Sequence, residues 1–448
     1  MKKSFFSFSI VLLMALAGCR NNQKDKETLL RNINSPVHLQ QAVDTVTGVI
    51  VHDVFSPPVA SRIYAYSCLA AYEALIPQNS DYQSLAGQLK GFEAVPQPNK
   101  DSTYCFPLAS LKAFMTIARS MTFSVQKYDD FEKKMYADYK EALPEDVYEH
   151  SMSYGEKVGK HVLAYSAKDN YKQTRGFRHT ITKEPGTWVP TPPAYMDGVE
   201  PQWKTIRTMV LDSASQFAPP KPPFFDKKKE SSFYKEMMEV YETGNKLTDE
   251  QKHIANFWDC NPFKMNIVGH VMFATKKLSP GGHWMSIAKT VTEKKKFDVF
   301  KTTEIYCLLS IGLFDGFISC WDEKYRSLKV RPETAINELI DKDWVPLLQT
   351  PPFPEYTSGH SVISAASSVV LTKVIGEDVA FTDSTEVQYG IPPRSFKSFK
   401  HAADEASVSR LYGGIHYRTA ITAGLIQGES VGKLVMERLH THKTLAKK

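Results

Sequence analysis

The sequence holds little cysteine, and none of it in metal-binding or redox spacing. Six cysteines are spread over 448 residues without a Cys-x-x-Cys pair, which argues against a disulfide framework and a thiolate zinc finger. The five after Cys19 are Cys68, Cys105, Cys260, Cys307 and Cys320, and they read as small buried apolar residues. Charge of one sign is also scarce. A net charge of +6 on a chain of this size does not make the basic field that nucleic-acid binding needs. Long hydrophobic runs are missing beyond the N-terminus: the best, Ile305 to Phe314, meets Asp315 and is too short to span a bilayer. Sustained period-2 alternation is absent, which leaves little material for sheets. There is no short internal repeat, no P-loop, no G-x-G-x-x-G and no H-E-x-x-H, so solenoids and the common nucleotide and zinc-hydrolase motifs drop out.

What is present is a globular composition. The 42% of hydrophobic residues, with 12% aromatic, supply a large core. Residues 1–18 read as a signal peptide: Lys2 and Lys3 form a positive n-region ahead of an apolar stretch from Phe5 to Leu16. Leu16-Ala17-Gly18-Cys19 resembles a bacterial lipobox. The expectation is an exported protein, diacylated on Cys19 and anchored to a bacterial membrane on its periplasmic or cell-surface side without crossing it. Residues 19–38 are polar and read as a tether.

Helical signals dominate the rest. Ser56-Pro57-Pro58 is a helix start. Further helices are expected near 105–124, 128–141, 145–168, 231–244, 248–259, 283–295, 299–324, 333–342, 358–375, 399–412 and 417–440. The stretch 185–223 carries nine of the 26 prolines, so it cannot be one regular element and reads as a long surface wrap. Trp188, Tyr195 and Trp203 are expected to pin it. Lys227–Lys229 and Lys294–Lys296 read as solvated helix ends. The expected fold is all-α, a large helical-bundle body, in two packed parts: residues 39–245 and residues 246–442.

Three clusters in the last third carry chemistry. In the first, Lys324 and Arg331 lie seven residues apart, a spacing that returns to one helix face, with Pro332 marking the helix end. Two cations aimed at one point hold a multiply charged anion. The second runs from Pro351 to His360: a stiff approach, then Ser358-Gly359-His360 at a helix start, where free N–H groups favour an anion. The third is Ser409-Arg410 to His416, where Gly413-Gly414 interrupts a helix. Each piece alone is a weak signal. The ordered set, K-x6-R-P, S-G-H and S-R-x5-H, is specific.

That set resembles the superfamily of vanadium-dependent haloperoxidases and type 2 phosphatidic acid phosphatases. The close match covers about residues 315–426. Looser similarity to soluble bacterial haloperoxidase-like proteins takes in Phe257-Trp258-Asp259, Gly282-His283-Trp284 and the Trp188 to Trp203 segment. The resemblance implies a tetrahedral oxyanion, vanadate or phosphate, inside the bundle. Lys324, Arg331 and Arg410 would neutralise it, Ser358 and the Gly359 N–H would donate to it, and His360 would be the acid–base. His416 would bond to the vanadium or phosphorus. Trp321 and Phe353 match the aromatics that flank the halide pocket of haloperoxidases. Asp259 is a candidate support for His360 or an arginine.

Two positions depart from the pattern. Thr357 stands where the family has Pro before Ser-Gly-His. Ala420 stands four residues after His416, where an acid is expected that orients the imidazole. A backbone carbonyl, Thr419 or Thr422 could substitute. The leading expectation is peroxide-driven halide oxidation at a vanadate on His416. The nearest rival is an acid phosphatase working on a soluble phosphate ester through a phosphohistidine, against which Ala420 counts. A third reading is a surface lipoprotein that binds anions without catalysis. Gly428-Glu429-Ser430-Val431-Gly432 matches the nucleophile-elbow pattern by coincidence, since no strand precedes it.

Overall fold

The structure, a computed structural model, describes residues 35–443 apart from 183, 263 and 269. The signal peptide, Cys19 and most of the tether lie outside the described residues. The chain is mostly helical, 59% helix and 3% strand. Helix α1 spans Val37–His52, so the first helix begins just before the expected tether end. It is followed by α2 Pro57–Leu75, α3 Phe106–Met121, α4 Asp129–Ala142 and α5 Glu145–Ser166. The second half holds α6 Ser232–Asn245, α7 Asp249–Phe257, α8 Pro280–Lys295, α9 Val299–Ser327, α10 Pro332–Leu339, α11 Gly359–Ile375, α12 Phe399–Tyr412 and α13 Arg418–Arg438. Two antiparallel hairpins interrupt it: β1 Lys264–Val268 with β2 Val271–Thr275, and β3 Phe381–Asp383 with β4 Arg394–Phe396. Neither hairpin follows from the sequence pattern, because three- and five-residue strands are too short to show alternation.

The helices begin where capping residues stand. Ser56, Ser231, Thr248, Ser279, Asp298, Ser358 and Ser398 each accept a backbone N–H of the first turn of the helix that follows. Helix α8 accordingly starts at Pro280, three residues before the periodicity suggests.

Helix α9 is the axis of the fold. It packs on α2 in the first half and on α11 and α13 in the second. One apolar cluster runs through both halves, from Leu39 to Leu439. By length and composition α9 could cross a membrane, yet the window that passes this test is wholly buried in protein. The expectation of no such segment fails because the helix continues through Asp315. That carboxylate accepts the backbone N–H groups of Met209, Val210 and Leu211 at 2.7–2.9 Å, which satisfies a charge in the core.

The same three bonds fix the proline-rich wrap. Trp188 and Trp203 are buried as expected, but Tyr195 is 64% exposed and pins nothing. Lys227–Lys229 and Lys294–Lys296 are exposed. Cys68, Cys105, Cys260, Cys307 and Cys320 are all free and buried.

Candidate active site

The three sequence clusters meet at one end of α9, α11 and α12. Lys324 lies in the last turn of α9, which stops at Ser327 because Leu328 turns left-handed. Arg331 is therefore extended, capping α10. Lys324 and Arg331 converge through this chain reversal and not through two helical turns. Arg331 Nη1 donates to His416 Nε2 at 3.1 Å and to the Ile415 carbonyl at 2.9 Å, and its Nε donates to the Phe353 carbonyl at 2.9 Å. Lys324 Nζ spends its donors on the carbonyls of Pro354, Glu355 and Thr357. Lys324 thus staples the approach loop and contributes its charge from behind. Arg410 donates through Nη2 to the Trp258 carbonyl at 2.7 Å and through Nε to Ser409 Oγ at 2.9 Å.

Ser358 caps α11, its Oγ accepting from Ser361 N, so its hydroxyl hydrogen remains available as a donor. Thr357 ties the approach loop down: its hydroxyl donates to Gln427 Oε1 at 2.7 Å. Trp321, Phe353, Gly359, His360, Arg410 and His416 line one cavity; Lys324, Arg331 and Ser358 are not in its lining, and Arg331 stands behind it against His416. The rings of Trp321 and Phe353 lie 5.0 Å apart, and Trp321 Nε1 donates to the Val199 carbonyl at 3.1 Å. Phe353 also sits 5.1 Å from both Lys324 Nζ and Arg331 Cζ.

Burial and mutual repulsion set the charges. Desolvation, then the neighbouring positive charges, push Lys324 down to about 8 and hold both imidazoles well below the usual histidine range. Burial also brings Arg331 and Arg410 down to about 10. A guanidinium can only donate, so His416 Nε2 carries a lone pair and the ring proton sits on Nδ1. That proton goes to Glu355 Oε1 at 2.8 Å. Glu355 therefore does what the missing acid at Ala420 would do. Thr419 is occupied elsewhere, by Glu236. Sequence reading overlooked Glu355 although it stands inside the second cluster, because its partner is 61 residues away.

Asp259 does not reach His360. It pairs with Lys277 at 3.2 Å and Lys264 at 3.6 Å, and acts on Arg410 only through its charge. His360 is bonded instead to the Trp258 backbone, which leaves its Nε2 buried without a hydrogen-bond partner. Arg331 Nη2 is likewise buried and unpartnered. Unpaired donors and lone pairs in a low-dielectric, cationic cup are the signature of a site made for an anion. An oxyanion held at His416 Nε2 would take over the contact that Arg331 Nη1 now makes there, with the unpartnered Arg331 Nη2 beside it.

Comparison with known proteins agrees. A family model described as the VCPO second helical-bundle domain matches residues 304–444. The crystal structure of a bacterial vanadium-dependent iodoperoxidase is similar over 92% of this chain and 98% of that one, at 49% identity and a TM-score of 0.87. The holo- and apo-type structures of a bacterial vanadium-dependent chloroperoxidase share 18% and 19% identity and a TM-score of 0.66. They cover 86% of this chain and 93% and 94% of theirs, and at that identity they show the fold alone. Among curated proteins no relative matches the chain. Identity of this extent to a solved relative shows that the chain belongs to the vanadium-dependent haloperoxidase family.

Proposed function

We propose that this enzyme oxidises iodide with hydrogen peroxide at a vanadate held on His416. The observation that carries the reading is the His416 ring. Its Nδ1–H is fixed by Glu355, and its Nε2 lone pair faces Arg331, the nearest of the three cations. Iodide as the halide rests on the likeness to the iodoperoxidase structure. Bound vanadate would supply a Lewis-acidic centre that activates peroxide towards the halide. The protein does the rest. Lys324, Arg331 and Arg410 balance the oxyanion charge in a buried site, where fixed charges act strongly. Ser358 Oγ and the Gly359 N–H, at the start of α11, donate to its oxygens. His360 is held neutral, so its Nε2 can take a proton from incoming peroxide and return it to the leaving oxygen. Trp321 and Phe353 give the halide an apolar, water-poor wall.

The test is direct. Protein loaded with vanadate should form triiodide from iodide and peroxide, and His416→Ala should lose both vanadate binding and turnover. A wild-type chain that binds vanadate without oxidising any halide would overturn the peroxidase reading and leave the phosphatase and anion-binding readings.

One observation favours a second chemistry at the same cup. Glu355 on Nδ1 removes the objection that Ala420 raised to a phosphohistidine, since the imidazole is oriented after all. Vanadate-free protein should then cleave an aryl phosphate slowly, with vanadate as inhibitor. We further propose that Cys19 is lipidated and that the protein works anchored outside the cytoplasm. The lipobox-like Leu16-Ala17-Gly18-Cys19 supports this, and radiolabelled palmitate incorporation lost in Cys19→Ser tests it.

A further inference from the structure

Next to the cup, and unused by it, three separate stretches bring a second set of reactive side chains together. Cys260 follows the end of α7. His283 lies in the first turn of α8, and Glu386 sits on the short 3-10 helix Thr385–Tyr389 after β3. All three are buried. The Cys260 sulfur is 3.3 Å from His283 Nδ1, and Glu386 Oε1 is 3.6 Å from the same nitrogen. One ligand atom from each of the three falls within 4.8 Å of the others.

The surroundings are those of a ligand set. His283 Nε2 is held by Asp383 at 2.7 Å. Against the cost of burial, Asp383 and Cys260 raise the ring's proton affinity; the carboxylate on the far nitrogen fixes the ring with Nδ1 pointing inward, where a metal ion would displace the Nδ1 proton. Trp258 stacks on the ring at 4.6 Å and 24°. Both oxygens of Glu386 are buried and accept no hydrogen bond, although the residue is only 1% exposed. The nearby ammonium of Lys277 is directed to Asp259. Without an ion, Glu386 faces only the His283 ring, at 3.6 Å and beyond hydrogen-bond range, and burial raises its carboxyl to about 7; two buried oxygens without a hydrogen bond are costly in a core.

We propose that Cys260 Sγ, His283 Nδ1 and a Glu386 oxygen hold a zinc ion beside the oxyanion cup. With Zn–S of about 2.3 Å and Zn–N or Zn–O of about 2.0–2.1 Å, tetrahedral neighbours stand roughly 3.3–3.6 Å apart. The observed 3.3 Å (S to Nδ1) and 3.6 Å (Nδ1 to Oε1) are within about 0.3 Å of that geometry, and the remaining pair, within 4.8 Å, closes on the ion by a side-chain adjustment. One sulfur, one imidazole and one carboxylate suit zinc better than the hard cations that prefer all-oxygen sites. Thiolate and carboxylate together cancel the charge of the ion, so it adds no net repulsion to Arg410. Three protein ligands leave a fourth position for a water.

The ion would serve the neighbouring site mechanically. Cys260 lines the cup's cavity, and two residues before it the Trp258 carbonyl holds Arg410 Nη2. A metal on Cys260 and His283 clamps that loop to α8.

The experiment uses the full chain and zinc alone, without vanadate, so its outcome is independent of the peroxidase reading. Protein stripped with a chelator, re-equilibrated with zinc and desalted should retain one zinc per chain by elemental mass spectrometry, and should melt higher than the stripped form. Cobalt(II) in its place should give the intense visible bands of a tetrahedral ion with a sulfur-to-cobalt charge-transfer band, and Cys260→Ser should lose that band. Asp383→Asn should weaken zinc binding by about 10–100-fold, whereas Cys68→Ser should not change it. The decisive reading is on the wild type, so a variant that fails to fold does not blunt the test. Wild-type protein that retains no zinc after desalting, or that binds cobalt without a sulfur band, overturns the proposal.

Discussion

Glu355 and His416 are joined by a 2.8 Å hydrogen bond from Nδ1 to Oε1, and the same oxygen accepts the Tyr417 backbone N–H at 3.0 Å. The carboxylate thus grips both the imidazole and the chain that carries it. Glu355→Gln should lower vanadate affinity by about 10–100-fold, the usual effect of removing a carboxylate behind a ligating histidine. Equilibrium binding followed by vanadate-dependent quenching of tryptophan fluorescence measures it. Unchanged affinity would mean that His416 does not depend on Glu355.

Oxyanion binding should weaken as pH rises. Lys324 is held down to about 8 by burial and by Arg331, so its charge is lost in the free protein as pH rises through that value. Above that value an anion must bring the proton back, and affinity should fall by up to about tenfold per pH unit. Sulfate is the suitable probe because its own charge is fixed. Isothermal titration between pH 6 and pH 9.5 should show this break in wild type and not in Lys324→Met. A pH-independent affinity would show that Lys324 stays charged throughout.

Trp321 should affect the halide and not the oxyanion. Trp321→Phe keeps the ring against Phe353 but removes the bond from Nε1 to the Val199 carbonyl. That bond holds the indole in place and does not touch the halide, so its loss should raise KM for iodide by only about 2- to 3-fold, through a looser wall. Vanadate affinity should remain as in wild type. If both fall together, Trp321 only packs the core.

Close packing of α13 on α11 should be sensitive to a single methyl group. A Cβ on Gly428 would stand 2.1 Å from the Val362 carbonyl oxygen, and one on Gly424 would stand 2.9 Å from the Ser358 carbonyl oxygen. Gly428→Ala should therefore cost at least about 1–3 kcal/mol in urea unfolding. Gly424→Ala should also weaken oxyanion binding, because it pushes on the residue that starts α11. The glycines of the Gly428–Gly432 motif are thus a packing seam, and no nucleophile elbow stands there.

The sequence by itself determined the helical class, most helix boundaries and the short motifs that carry the candidate oxyanion residues. These are local properties: capping residues and prolines set helix ends within a few positions, and Lys324, Arg331, Ser358, Gly359, His360, Arg410 and His416 lie in short ordered motifs. Only the tertiary structure decided what each one touches. Glu355 replaces the acid absent at Ala420 because a loop reversal sets it against an imidazole far along the chain. Asp259 faces lysines and not His360. Lys324 gives its hydrogen bonds to carbonyls, and Cys260, His283 and Glu386 meet although nothing in their spacing joins them. Short-range pattern records the torsional and capping preferences of neighbouring residues, whereas partners of buried charges are chosen by the packing of distant segments, where desolvation forces every ionised group to find a counterpart.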